Sequence, residues 1–212
     1  MFKNSLYKRK DLQQFLFIRG FLITNKEITN TAEFPFYGNW RKEKYGKFWY
    51  MSHNLTGMHI YEHNNKVFFL FGHAYNPITM QYKEQEILKY LSENYDSKDK
   101  YIECLNELTG IYVAGVADGE KIEYYVDASG MQSACYGMID DGFYISSHPQ
   151  LIADLCSLKM DPFVKEIIEY ANKEIKKNKK KNLMILLSIL ISVVILSAAL
   201  LLVFTFEGGY VM

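Results

Sequence analysis

The chain has 212 residues, 49% of them hydrophobic and 16% aromatic, with 24 basic and 24 acidic side chains. That apolar share excludes disorder for most of the chain, and the length allows one domain of ordinary size plus an appendage. The zero net charge hides an asymmetry: six Lys face two Glu from Ala171 onward, so residues 1–170 are mildly acidic, which speaks against a nucleic-acid binder.

Residues 1–14, opening "MFKNSLYKRK", read as a loose basic lead-in. Residues 14–24, "QFLFIRGFLIT", are rich in β-formers and predict a first strand. Residues 25–47 are turn-rich and give no clear element. "KFWYMSH" and "GMHIYEH" predict two strands, and Asn64-Asn65 a tight hairpin turn into "KVFFLFGHAY", an apolar run that fits a strand buried on both faces. Residues 83–95 place Ile87, Leu88, Leu91 and Tyr95 at helical spacing, and a second short helix covers residues 98–108. "GIYVAGVAD" and "KIEYYVD" follow as strands joined at Gly119-Glu120, then "SACYGMI" and "GFYISSH" across Asp140-Asp141-Gly142. Pro149 opens a helix, "PQLIADLCSL", and Pro162 opens another that runs toward the C-terminus. Strands, two helices, strands, then a helix is an α+β order, with antiparallel sheets and helices on their outer faces.

From Leu183 through Phe206 the chain carries 24 residues without a charge, Gly or Pro. As a helix these extend about 36 Å, more than the ~30 Å hydrocarbon core of a bilayer. The preceding "NKEIKKNKKKN" places its Lys cluster on the cytoplasmic side and suits anionic headgroups. The expectation is a tail-anchored, single-pass membrane protein with a cytoplasmic domain, a Lys-rich helix over residues 161–182, a transmembrane helix over 183–206 and a short tail at 207–212. Cys104, Cys135 and Cys156 are widely spaced and form no CxxC pair or Cys/His cluster, so inert reduced thiols are expected. His59 and His63 are four apart; on a strand they stand about 13 Å from one another, too far for one metal ion. No metal and no cofactor is expected.

The run "LNELTGIYVAGVADGEKIEYYVDASGMQSACYGMIDDGFYISSHPQLIADL" carries several anchors in order: Leu108-Thr109-Gly110, Asp118, Asp127-Ala128-Ser129-Gly130, Tyr136, Ser146-Ser147 and a short helix. It resembles the glutaminase-type domain of asparagine synthetase-like proteins, a class II glutamine amidotransferase domain of the N-terminal-nucleophile hydrolases. The resemblance extends over residues 15–160 and implies a four-layer αββα sandwich. It also implies a pocket: Gly72 and His73 take the positions of an oxyanion-binding Asn-Gly-Glu, here Phe71-Gly72-His73, and Glu84 that of a carboxylate binding the substrate's α-amine. Asp127 and Gly130 take the positions of the family's Asp-x-x-Gly turn, an architectural motif.

The family's chemistry needs a nucleophile whose own α-amine acts as base. The chain starts Met1-Phe2, and Ser5 is the only Ser or Thr before the predicted first strand. Neither the Asn side-chain donor of the oxyanion hole nor the substrate-binding Arg has a counterpart in these segments, and losing one such donor costs about 10²–10³ in rate. After Pro162 the chain reads as a charged helix and an apolar span rather than as a synthetase domain, and these residues carry no glycine-rich phosphate loop. The expectation is therefore a catalytically inactive module, with no catalytic residue. It is read as a binding or regulatory partner of a separate synthetase-like protein, or as a receptor for a small amide or amino acid. The alternative is an active glutamine-hydrolysing subunit with a non-standard nucleophile.

Overall fold

In the computed structural model the chain divides into two compact units, Met1–Leu158 and Lys159–Met212. Residues 9–33, 35–182 and 184 are described.

The first unit is α+β. Its strands are β1 (Phe21–Thr24), β2 (Trp40–Tyr45), β3 (Phe48–His53), β4 (Met58–His63), β5 (Lys66–Tyr75), β6 (Thr109–Asp118), β7 (Lys121–Val126), β8 (Cys135–Ile139) and β9 (Gly142–Ser146). They form two sheets, ordered β2-β3-β1-β9-β8 and β4-β5-β6-β7, and every pairing is antiparallel. Four helices accompany them among the described residues of this unit: α1 (Lys10–Gln13), α2 (Glu84–Glu93), α3 (Lys98–Asn106) and α4 (Pro149–Leu155).

Alternation along the strands decides what packs where. In β5, Val67, Phe69 and Phe71 meet Phe21, Ile23, Phe48 and Tyr50 of the other sheet. Phe68 and Leu70, on the opposite face, meet Ile87, Leu88 and Leu91 of α2 and Tyr101 and Cys104 of α3. Both faces are covered, which is why this strand reads as an unbroken apolar run. The outer face of the five-stranded sheet sets Leu22, Trp40 and Met51 against Phe36 and Leu151 of α4.

Two local readings differ from the sequence expectation. The first strand is four residues long and begins at Phe21, not Gln14. Residues 14–19 are turns, stitched by bonds such as Phe15 N–H to Leu12 O and Gly20 N–H to Phe17 O. Phe17 and Arg19 both have positive φ, so this apolar stretch cannot continue the ladder. Secondly, β2 lies in the segment that gave no clear element. It is a sheet edge of mostly polar residues, "WRKEKY", whose charges blunt the exposed edge rather than announce a strand. The two strands expected at β3 and β4 form as read, and they belong to different sheets.

In the second unit, residues 162–182 are helical, and Asp161 Oδ1 caps the start by accepting the N–H groups of Phe163 (2.8 Å) and Val164 (3.3 Å). Among the described residues no helix is long and apolar enough to cross a membrane. The expected span at 183–206, apart from Met184, lies outside the described residues, as do the tail at 207–212 and residues 1–8.

Candidate functional site

At one end of the paired sheets the chain enters β1, crosses from β3 to β4 and finishes β5. A cleft of about 170 Å³ opens there, lined by Arg19, Thr56, Gly57, Gly72, His73 and Gln132 among others. Two of the residues singled out from the sequence, Gly72 and His73, line it directly. The third, Glu84, joins them from the first turn of α2: its Oε1 lies 2.9 Å from His73 Nδ1, and its Oε2 lies 4.0 Å from His59 Nε2. Burial pushes the Glu84 carboxyl up, but the His73 hydrogen bond, a backbone bond and the charges of His59 and His73 outweigh it, and the net shift is down. Its place in the first turn of α2 acts in the same sense, because the helix dipole favours an anion there. His59 is shifted down, chiefly by burial. Glu84 opposes this, while His73 and Arg41 reinforce it.

Close backbone approach shapes the cleft. Gly72 has φ +101°, and a Cβ there would meet Ile111 O at 2.2 Å. A Cβ at Gly57 would meet Gly72 O at 2.6 Å and His59 Nε2 at 2.8 Å. Both positions therefore require glycine. Gly72 N–H donates to Gly57 O at 2.9 Å, so the backbone donor expected for an oxyanion hole is already committed within the protein. Phe71 stands where the side-chain donor was sought. It is fully buried between the sheets and stacks on Phe21, with ring centroids 4.6 Å apart.

The turn at Asp127 supplies another wall of the cleft. Asp127 is buried; its Oδ1 accepts the N–H groups of Ser129 (3.0 Å) and Met131 (3.2 Å) and the Ser129 hydroxyl, and its Oδ2 accepts Gln132 N–H (2.9 Å). Burial raises this carboxyl, but those donors outweigh it and hold it below the usual carboxylate range. Gly130 turns the chain at φ +63° with its N–H on Asp127 O. The motif read as architectural thus also delivers Gln132 to the cleft.

Two guanidinium groups escaped the sequence reading. Arg19 lines the cleft from the turn ahead of β1. Arg41, on β2, donates to Thr56 O at 2.7 Å and fixes the β3–β4 connection. The dipeptide Arg19-Gly20 immediately before a β-branched and aromatic run was the available signal, hidden because the strand was drawn through it. Thr56 is the other omission. It is 5% exposed, and its Oγ1, like His59 Nε2, has no hydrogen-bond partner among the described residues. Thr56 Oγ1 thus adds an unsatisfied buried hydroxyl to the cleft wall.

Nucleophiles are scarce here. Residues 9–20 contain no Ser, Thr or Cys. Ser147 Oγ lies 2.8 Å from His148 Nδ1, but the serine is buried and its oxygen already accepts Phe21 N–H at 2.9 Å, tying β9 to β1. Cys135 Sγ donates to Ser146 O, and burial raises its thiol, away from the reactive thiolate. Among the described residues no group of three or more His, Cys, Asp or Glu is placed to hold a metal ion.

A second, larger cleft of about 470 Å³ lies at the opposite end, with Phe48, Ile122, Met138 and Phe143 among its walls. None of its lining residues carries a buried, unpartnered polar atom, so size alone does not make it the site. Against family models, curated proteins and solved structures the chain finds no match.

Proposed function

We propose that this chain is a membrane-anchored, catalytically inactive glutamine amidotransferase-like domain that binds a small carboxylate-bearing amino acid or amide and acts as the regulatory partner of a separate synthetase-like enzyme. On this reading the two sheets and their outer helices are a four-layer αββα sandwich, and residues 183–206 are the transmembrane anchor that leaves the domain in the cytoplasm.

The observation that carries the reading is the make-up of the cleft. Its lining offers recognition groups, whereas Phe71 stands at the side-chain donor position and Gly72 N–H is committed within the protein. Arg19 offers a fork of donors suited to a carboxylate. Thr56 Oγ1 and the Gln132 side chain offer neutral hydrogen bonds, and the Glu84–His73 pair offers an acceptor for an ammonium group. No hydroxyl or thiol precedes β1 within residues 9–20, Phe71 replaces an amide donor, and Gly72 N–H is bonded to Gly57. A scaffold so arranged holds a ligand without attacking it.

The test uses the full chain purified in mild detergent. Incubation with glutamine is expected to release no ammonia above the protein-free control. Glutamine, glutamate, asparagine or aspartate is expected to raise the melting temperature, since a ligand at 100 times its Kd stabilises by about 2.7 kcal/mol. Arg19→Ala and His73→Ala should abolish that rise. Ammonia release that a single substitution abolishes would discard the proposal, and so would a thermal response indifferent to both substitutions.

A further inference from the structure

The helix over residues 162–182 carries exposed apolar side chains, Phe163, Ile167 and Tyr170 among them, and a stripe of them along one side: Val164 is 45% exposed, Ile168 40% and Ile175 53%. Their spacing is that of a coiled-coil seam. Val164, Ala171 and Asn178 fall on one heptad position, and Ile168, Ile175 and Asn182 on the facing one. We infer that this helix pairs, parallel and in register, with the same helix of a second copy of the chain.

Three observations select that occupant. In-register parallel pairing sets Ile168 against Ile168, Ile175 against Ile175 and Asn178 against Asn178, whereas antiparallel pairing would set the apolar half against the two asparagines. Buried Asn at seam positions fixes register and number of strands. Flanking the seam, Glu174 of one helix lies across from Lys179 of the other, the g-to-e pairing that sets orientation. Within one helix Glu174 already draws Lys177 to 3.7 Å. Finally, the polar side of the apolar half carries Glu166, Glu169 and Glu174 against only Lys165 and Lys173. A helix lying on an anionic lipid surface needs a Lys-rich polar side there. The Lys cluster lies further along, at residues 176–181, where exposed like charges are screened over about 10 Å at 0.1 M salt.

Disulfide trapping in the full detergent-solubilised chain tests this. Ala171→Cys lies on the seam and Lys173→Cys on the opposite side, and the parent chain, with Cys104, Cys135 and Cys156, sets the background. Mild oxidation is expected to give a covalent dimer with Ala171→Cys and none above background with Lys173→Cys. Adding Ile175→Asp should lower the yield about tenfold, because it buries an unpaired charge at the seam. Glu174→Lys should lower it about twofold, the scale of one exposed ion pair, and adding Lys179→Glu should restore it. Equal trapping on both sides, or on neither, overturns the inference. So does protection of Ala171→Cys from a water-soluble maleimide without any dimer, which would mean that lipid or the chain's own first unit covers the stripe. Ligand binding by the first unit is read separately, so the two proposals fail independently.

Discussion

The two ends of the paired sheets are built on opposite plans. At one end the connections are minimal: Gly46-Lys47, Asn64-Asn65, Gly119-Glu120 and Asp140-Asp141 each turn one strand into its neighbour. Positive φ at Gly46, Asn64, Asn65, Gly119 and Asp140 suits these two-residue hairpins. Exposed ion pairs finish this end: Lys47 with Glu120 from one sheet to the other, Lys66 with Asp118, and Lys26 with Asp141 at 2.9 Å. At the other end the chain crosses between sheets, packs backbone against backbone at Gly57 and Gly72, and leaves polar atoms buried and unpartnered. Close backbone approach at Gly57 and Gly72, and the unpartnered buried Thr56 Oγ1 and His59 Nε2, thus lie at the end that carries the cleft.

Matched glycines give the widest separation of the two ends. Gly72 and Gly119 both have positive φ, but a Cβ at Gly72 strikes Ile111 O, while nothing lies within 4 Å of a Cβ at Gly119. Gly72→Ala is expected to cost about 3 kcal/mol or more, and Gly119→Ala about 1 kcal/mol, both read from chemical denaturation. Equal costs would break the contrast. Next comes the wall of the cleft: Asp127→Ala leaves the N–H groups of Ser129, Met131 and Gln132 without their acceptor. This is expected to cost about 2–3 kcal/mol and to remove the ligand-dependent rise in melting temperature, because Gln132 loses its support.

The smallest effects come from titration. His59 and His148 have folded pKa values below their ordinary 6.5, chiefly through burial. The unfolded chain therefore takes up these protons first. Their contribution is whole above pH 6.5 and is lost as pH falls from there toward the folded values. Asp127 and Glu84, also shifted down, add a second loss below the ordinary carboxylate range. At the hairpin end, Glu120 and Asp141 are shifted down by their Lys partners but lie fully in solvent. Lys47→Ala is expected to leave the melting temperature unchanged, and 1 M salt should suppress the hairpin-end contribution while leaving the pH 6.5 onset in place. An acid transition that disappears in 1 M salt would place the titrating groups at the wrong end.

The same division governs what the sequence disclosed. At the hairpin end the turns at Asn64-Asn65, Gly119-Glu120 and Asp140-Asp141 were legible because their residue types favour such turns, and β5 and β6 are long enough to show which faces are covered, whereas the Gly46-Lys47 turn was not read. The α2 helix was legible from Ile87, Leu88 and Leu91. The cleft was half legible: Gly72, His73 and Glu84 were placed by resemblance to a known motif, and His73 and Glu84 do meet. Arg19 was missed because Phe15 to Ile18 look like strand residues. Only the sign of φ at Phe17 and Arg19, which no alternation pattern encodes, turns them away from the ladder. Thr56 was missed because its burial arises from the crossing between sheets at β3–β4, which no local pattern encodes. β2 was missed because an edge strand bearing Arg41, Lys42, Glu43 and Lys44 lacks the apolar face that local pattern reading requires.

The strand order has a consequence for how the polypeptide is made. The four-stranded sheet and its two helices come from one continuous stretch, residues 58–126, so they can assemble while synthesis is still under way. The five-stranded sheet cannot: β1 is its central strand, and Leu22 waits for Ser146, emitted more than a hundred residues later, to become its neighbour. Until then Phe21, Leu22 and Ile23 form a bare, adhesive edge. A nascent chain halted before β9 is therefore a substrate for chaperones or for aggregation, whatever the quality of the half already folded.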